Sequence, residues 1–130
     1  MIPVTDTLSL LVIFRDPVTS SVAFFAEALG TGILAFVIFA STHPKNKTMK
    51  DGFIPPIIGL TVGSLIAVIA PLTQAGFNPA RDFGPRIVAF LAGWKTVAFK
   101  GCWVYILAPI LGAPIGAAIA DQILYSDDSE

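Results

Sequence analysis

A chain of 130 residues that is 55% hydrophobic and 13% charged, with a mean hydropathy of +0.78, is too apolar for a soluble domain of its size. It reads as a polytopic membrane protein. A net charge of −1 and eight scattered basic residues give no basis for a nucleic-acid partner. The lone Cys102 excludes an intramolecular disulfide, and one cysteine with one histidine, His43, makes no ligand cluster, so neither a metal nor another cofactor is expected.

In chain order, the apolar run Leu8 to Phe14 is too short to span a bilayer, and it lacks the basic flank and small-residue cleavage site of a signal peptide. The first long apolar segment is Val22 to Ala40, with Glu27 as its only charge. At about 1.5 Å per residue it covers roughly 28 Å, one hydrocarbon core. Thr42-His43-Pro44-Lys45-Asn46-Lys47 ends it as a water-facing loop, where His43 reads as a solvated residue. A second span is predicted from Ile57, after Pro55 and Pro56, to about Ala70, with Pro71 closing it. The last runs from Trp103 to Leu124 and holds Gly112 and Gly116 four residues apart, a spacing that lets another helix approach closely. Trp94, Trp103, Tyr105 and Tyr125 fall near predicted helix ends, as interfacial aromatics do. The tail Asp127-Asp128-Ser129-Glu130 reads as solvated chain.

Leu72 to Phe99 is too short to cross and too apolar for an ordinary loop. Asn78 is a strong N-cap and Pro79 is tolerated at the first helical position, so a half-length helix is predicted from Asn78 to about Leu91, before Gly93. Irregular backbone leading into a half-helix at membrane depth is a re-entrant segment, which needs protein or a water-filled cavity to satisfy its polar groups. Arg81 and Arg86 kept among apolar segments make this the default functional site.

Leu72-Thr73 and Phe77-Asn78-Pro79-Ala80-Arg81-Asp82-Phe83-Gly84-Pro85-Arg86 resemble the second signature loop of the aquaporin family. Asp82, Arg86 and Pro109-Ile110 narrow the resemblance to the glycerol facilitator branch, the aquaglyceroporins. It extends from about Phe14 to Leu124. Phe14-Arg15-Asp16-Pro17 resembles the end of an external loop, and the spans resemble the fourth, fifth and sixth membrane helices with the second half-helix between the last two. The implied fold is an all-α membrane protein with three transmembrane helices and one re-entrant half-helix, the second inverted repeat of the aquaporin fold. Residues 1–21 are then an external loop remnant and 22–130 the C-terminal half of a channel domain.

The resemblance implies roles for single residues. Asn78, at the tip of the half-helix, would lie at the bilayer midplane, where the helix dipole gives roughly half a positive charge that repels cations. Pro79 and Ala80 complete that tip. Arg81 would line the narrowest point, offering several N–H donors and no acceptor. Ala75 and Ile66 fall where the family places two further walls. The usual glycerol facilitator has an aromatic and a glycine there, and the pair found here is closer to channels for boric acid, arsenite or urea. Glu27 would accept hydrogen bonds from the re-entrant backbone, with a proton relay as the functional alternative. Asp82 would fix loop geometry, and Arg86 would sit toward the outer mouth.

Lys45, Lys47 and Lys50 suit a cytoplasmic loop, while Arg15, Lys95 and Lys100 fall on the other side, so charge alone does not set orientation. No nucleophile, phosphate-binding or paired-carboxylate pattern supports an enzyme, and no coupling carboxylate near Asn78 supports a secondary transporter. The implied function is a passive channel for glycerol or other small uncharged solutes and water in the plasma membrane, as family-type homotetramers. Only one Asn-Pro-Ala is present, whereas the family's pore joins two inverted halves. The expectation is a truncated half-channel needing its complementary half; the alternatives are a non-conducting partner of full-length subunits and a pair of opposed copies.

Overall fold

The computed structural model describes residues 18–49 and 51–126. The readings made of Met1 to Pro17, of Lys50 and of the tail from Asp127 concern residues outside that range. Within it the protein is all-α: α1 (Ser20–Thr42), a 3-10 turn (Asp51–Phe53), α2 (Ile54–Thr73), α3 (Pro79–Ala89), a π turn (Phe90–Trp94), a 3-10 turn (Lys95–Phe99) and α4 (Cys102–Tyr125). α1, α2 with its leading turn, and α4 are each long and apolar enough to cross a membrane. The chain is an integral, multi-pass membrane protein.

α1 begins at Thr19, whose Oγ1 accepts the Val22 N–H at 3.4 Å. Its interior hydroxyls are satisfied within the helix. Thr31 donates to the Glu27 carbonyl at 2.7 Å and Ser41 to that of Val37 at 2.6 Å, so neither needs water in an apolar setting.

α1 and α4 pack through a seam of small residues. A Cβ on Gly112 would strike the Ala28 carbonyl, one on Gly116 would strike the Gly32 carbonyl, and one on Gly32 would lie 3.2 Å from the Gly112 carbonyl oxygen. The four-residue glycine spacing is therefore used inside this chain. α2 joins through its C-terminal end, where Ile69 and Thr73 are buried, while Leu60 and Val68 on it are 72% exposed.

Three expectations need correction. Pro71 does not close the second span, because α2 continues to Thr73, and Pro55 and Pro56 lie inside its first turn. A proline three residues from a helix end forfeits one backbone bond, and one in the first turn forfeits none. The stop is Gln74, left-handed at φ 69°, with its N–H on the Ala70 carbonyl at 2.9 Å.

His43 is not a simple solvated residue. It caps α1, stacks on Tyr125 with ring centroids 3.9 Å apart, and sets Nε2 3.4 Å from Asp121 Oδ1. The close approach of α1 and α4 brings it there. Tyr125 in turn donates its hydroxyl to the Ala40 carbonyl at 2.6 Å.

Tyr105 is not an interfacial aromatic, since its hydroxyl turns inward to the end of α2. The half-helix ends as α-helix at Ala89 and widens into the π turn, where Gly93 at φ 103° breaks it.

Candidate functional site

Between α2 and α3 the backbone takes three left-handed turns at residues other than glycine: Gln74 (φ 69°), Ala75 (φ 54°) and Phe77 (φ 54°). Each costs about 1 kcal/mol or more, so surrounding groups must hold the segment. Glu27, about two turns into α1 and fully buried, supplies one grip. Its two carboxylate oxygens accept the N–H groups of Gly76 at 2.9 Å and Phe77 at 2.7 Å. Thr73 Oγ1 accepts the Ala75 N–H at 3.2 Å, and the Tyr105 hydroxyl donates to the Thr73 carbonyl at 2.9 Å.

Phe77, 7% exposed, is the wedge that fixes the loop against α1 and α2. A Cβ on Gly30 would strike its ring and would come within 2.8 Å of Ile69 Cδ1, so the site needs a glycine opposite the phenylalanine. Ala26, Ile69, Ala75 and Phe77 form one buried cluster, with Leu65, Ile66 and Ala70 packed against it.

α3 starts where the loop ends. Asn78 is extended, and its Oδ1 accepts from the N–H groups of Ala80 at 2.9 Å and Arg81 at 3.2 Å. Pro79 opens the helix. With Oδ1 committed to the helix end, the Asn78 amide nitrogen is left as an outward donor on an exposed residue. Arg81 folds back over the loop, Nη1 donating to the carbonyls of Ala75 at 2.8 Å and Gly76 at 3.3 Å. Among the described residues no carboxylate forms an ion pair with Arg81.

Arg86 is placed differently. Its guanidinium meets Asp82 with two bonds, Nη2 to Oδ1 at 2.9 Å and Nε to Oδ2 at 2.5 Å. Nη1 donates to the carbonyls of Ala98 at 2.8 Å and Lys100 at 3.1 Å. Arg86 is thus a clamp between α3 and the link to α4, neutralised by Asp82. Arg81, Asp82, Gln74, Gly76, Trp94 and Tyr105 are among the residues around an open cavity of about 470 Å³.

The structure brings Asn78, Pro79, Ala80, Arg81 and Glu27 into one loop-and-tip assembly, and it separates two residues expected beside them. Ala75 is fully buried in the Ile69–Phe77 cluster, because its left-handed backbone turns the methyl group inward and leaves its carbonyl to Arg81. Ile66 packs against the same cluster. Neither side chain lines the cavity beside Arg81. Phe77 belongs to the signature loop in sequence but carries no sign there of its wedge role, and Tyr105 and Gly30 carry no local signal as site residues, since only the fold brings α1, α4 and the loop together.

The family pattern described as Major intrinsic protein matches residues 4–120. The chain is 38% identical over 122 residues to the glycerol uptake facilitator protein of Pseudomonas aeruginosa, covering 86% of this chain and 44% of that relative. It is 41% identical over 99 residues to the glycerol uptake facilitator protein of Escherichia coli K12, covering 75% and 35%. To aquaglyceroporin-2 of Rhizophagus irregularis it is 37% identical over 107 residues, covering 79% and 34%. It spans less than half the length of each of these relatives. The matched residues take in α1, α2, the strained loop, α3 and all but the end of α4, and the chain belongs to the major intrinsic protein family.

Proposed function

We propose that this chain forms one half of a passive transmembrane channel for glycerol or similar small uncharged solutes and water, conducting when joined to a complementary half. One observation carries the proposal: Arg81 is held by the Ala75 and Gly76 carbonyls at the edge of a cavity, one turn from a helix N-terminus capped by Asn78. An arginine without an ion-pair partner among the described residues offers hydroxyl oxygens several fixed donors while its charge turns cations away. The Gly76 carbonyl beside it is an acceptor for the hydroxyl hydrogen. Donor and acceptor side by side suit a polyol.

Residues 22–130 correspond on this reading to the second inverted repeat, with Asn78 meeting its counterpart from the other half at the midplane. The wall is built from Arg81 and loop carbonyls rather than from the side chains of Ala75 and Ile66. Glycerol uptake facilitators among the relatives support a polyol as the solute. The plasma membrane is proposed as the location. Homotetramers, the family's assembly, are proposed with them.

The test uses vesicles holding the chain assembled with a complementary half. Arg81→Ala is expected to let protons or small cations leak and to lower glycerol flux about tenfold, one charged hydrogen bond's worth. Asn78→Asp is expected to admit cations at the tip. If both variants keep the flux and the ion exclusion of the unaltered assembly, the proposed site is wrong.

A further inference from the structure

The strained loop is gripped from three helices. Glu27 holds it from α1 and Arg81 from α3. The third comes from Tyr105 on α4, whose hydroxyl donates to the Thr73 carbonyl at 2.9 Å. Thr73 ends α2, so its carbonyl lacks a helical donor four residues on. It also launches the three left-handed residues, and its own hydroxyl holds the Ala75 N–H. The Tyr105 ring occupies the space beside Gly76: a Cβ there would lie 2.9 Å from Cδ1 and 3.5 Å from Cε1.

The ring is itself held in place. The Arg86 guanidinium carbon sits 5.3 Å from its centroid, fixed by Asp82 and by the carbonyls of Ala98 and Lys100. Tyr105 borders the same cavity as Arg81.

We infer that Tyr105 is a positioning residue for solute discrimination: it pins the Thr73–Gly76 backbone so that the Gly76 carbonyl and the Arg81 guanidinium keep their spacing as a solute passes. The inference rests on the channel reading above. Glu27 and Phe77 carry the buried side of the loop, at 0% and 7% exposure, so removing one hydroxyl from α4 leaves that anchorage intact. What is lost is the fixed orientation of the peptide that Arg81 reads.

Glycerol and water permeabilities are measured on the same vesicles, with the chain assembled with its complementary half. Their ratio does not depend on how many channels insert. Tyr105→Phe is expected to lower the glycerol-to-water ratio by about fivefold, the factor that one neutral hydrogen bond carries. Tyr125→Phe is the control, because it removes a like hydroxyl bond, to the Ala40 carbonyl, at the far end of α4 and is expected to leave the ratio unchanged. If both variants shift the ratio alike, if neither does, or if Tyr105→Phe forms no channel at all, the inference is overturned. An unaltered assembly that passes neither solute overturns the channel reading and this inference with it, whereas a conducting one with an unmoved ratio overturns this inference alone.

Discussion

Glu27 is the residue on which the loop depends most. Replacing it by alanine leaves the part-buried Gly76 N–H and the buried Phe77 N–H without their acceptor, each worth up to about 1–3 kcal/mol. Glu27→Ala is therefore expected to destabilise by about 2–6 kcal/mol, and Glu27→Gln, whose amide oxygen still serves one N–H, by roughly half as much. Thermal unfolding in detergent checks both, and an alanine variant as stable as the parent would refute the anchoring role. At this scale the sequence was legible where chemistry stands out against an apolar background. A lone carboxylate in a span, an Asn-Pro helix start and an arginine one turn later are costly there and imply partners. Ala75 turns into the buried cluster because its backbone is left-handed, a path that counting along a chain does not supply, and Ile66, inside α2, packs against the same cluster. Nothing in the local sequence of Tyr105 points to Thr73, so its place near a helix end suggests an interfacial aromatic instead.

At the scale of elements, the glycines divide into two sets with opposite expectations. Gly112→Ala and Gly116→Ala each drive a methyl group into a facing carbonyl of α1, so the helices must separate. The expected cost is about 1–3 kcal/mol, seen as a lowered melting temperature and weaker crosslinking between cysteines set across the α1–α4 seam. Gly59→Ala and Gly63→Ala on α2 meet nothing within 4 Å and are expected to be neutral or to stabilise by up to about 1 kcal/mol. Equal effects at all four positions would contradict the packing described. The spans were readable from hydropathy to within a few residues. Their ends were not, because proline is a weaker stop than it looks: Pro71 sits inside α2, while the left-handed Gln74 that ends it carries no composition signal.

For the whole molecule, the exposed apolar face of α2 and the open cavity beside Arg81 fit the proposed half-channel, in which a second half would close them. Lipid can cover Leu60 and Val68, but it cannot satisfy the Asn78 amide or the Arg81 guanidinium, which call for water or protein at membrane depth. That asymmetry is the physical reason to look for a second half. The single Asn-Pro-Ala gave the same reason in sequence, before any geometry.

The most direct measurement is stopped-flow light scattering of liposomes under a glycerol gradient, comparing the chain alone, a complementary half alone, and the two together. Glycerol-driven swelling is expected only when both are present and only with Arg81 intact. Robust swelling from the chain alone, or none from the pair, would contradict the half-channel account.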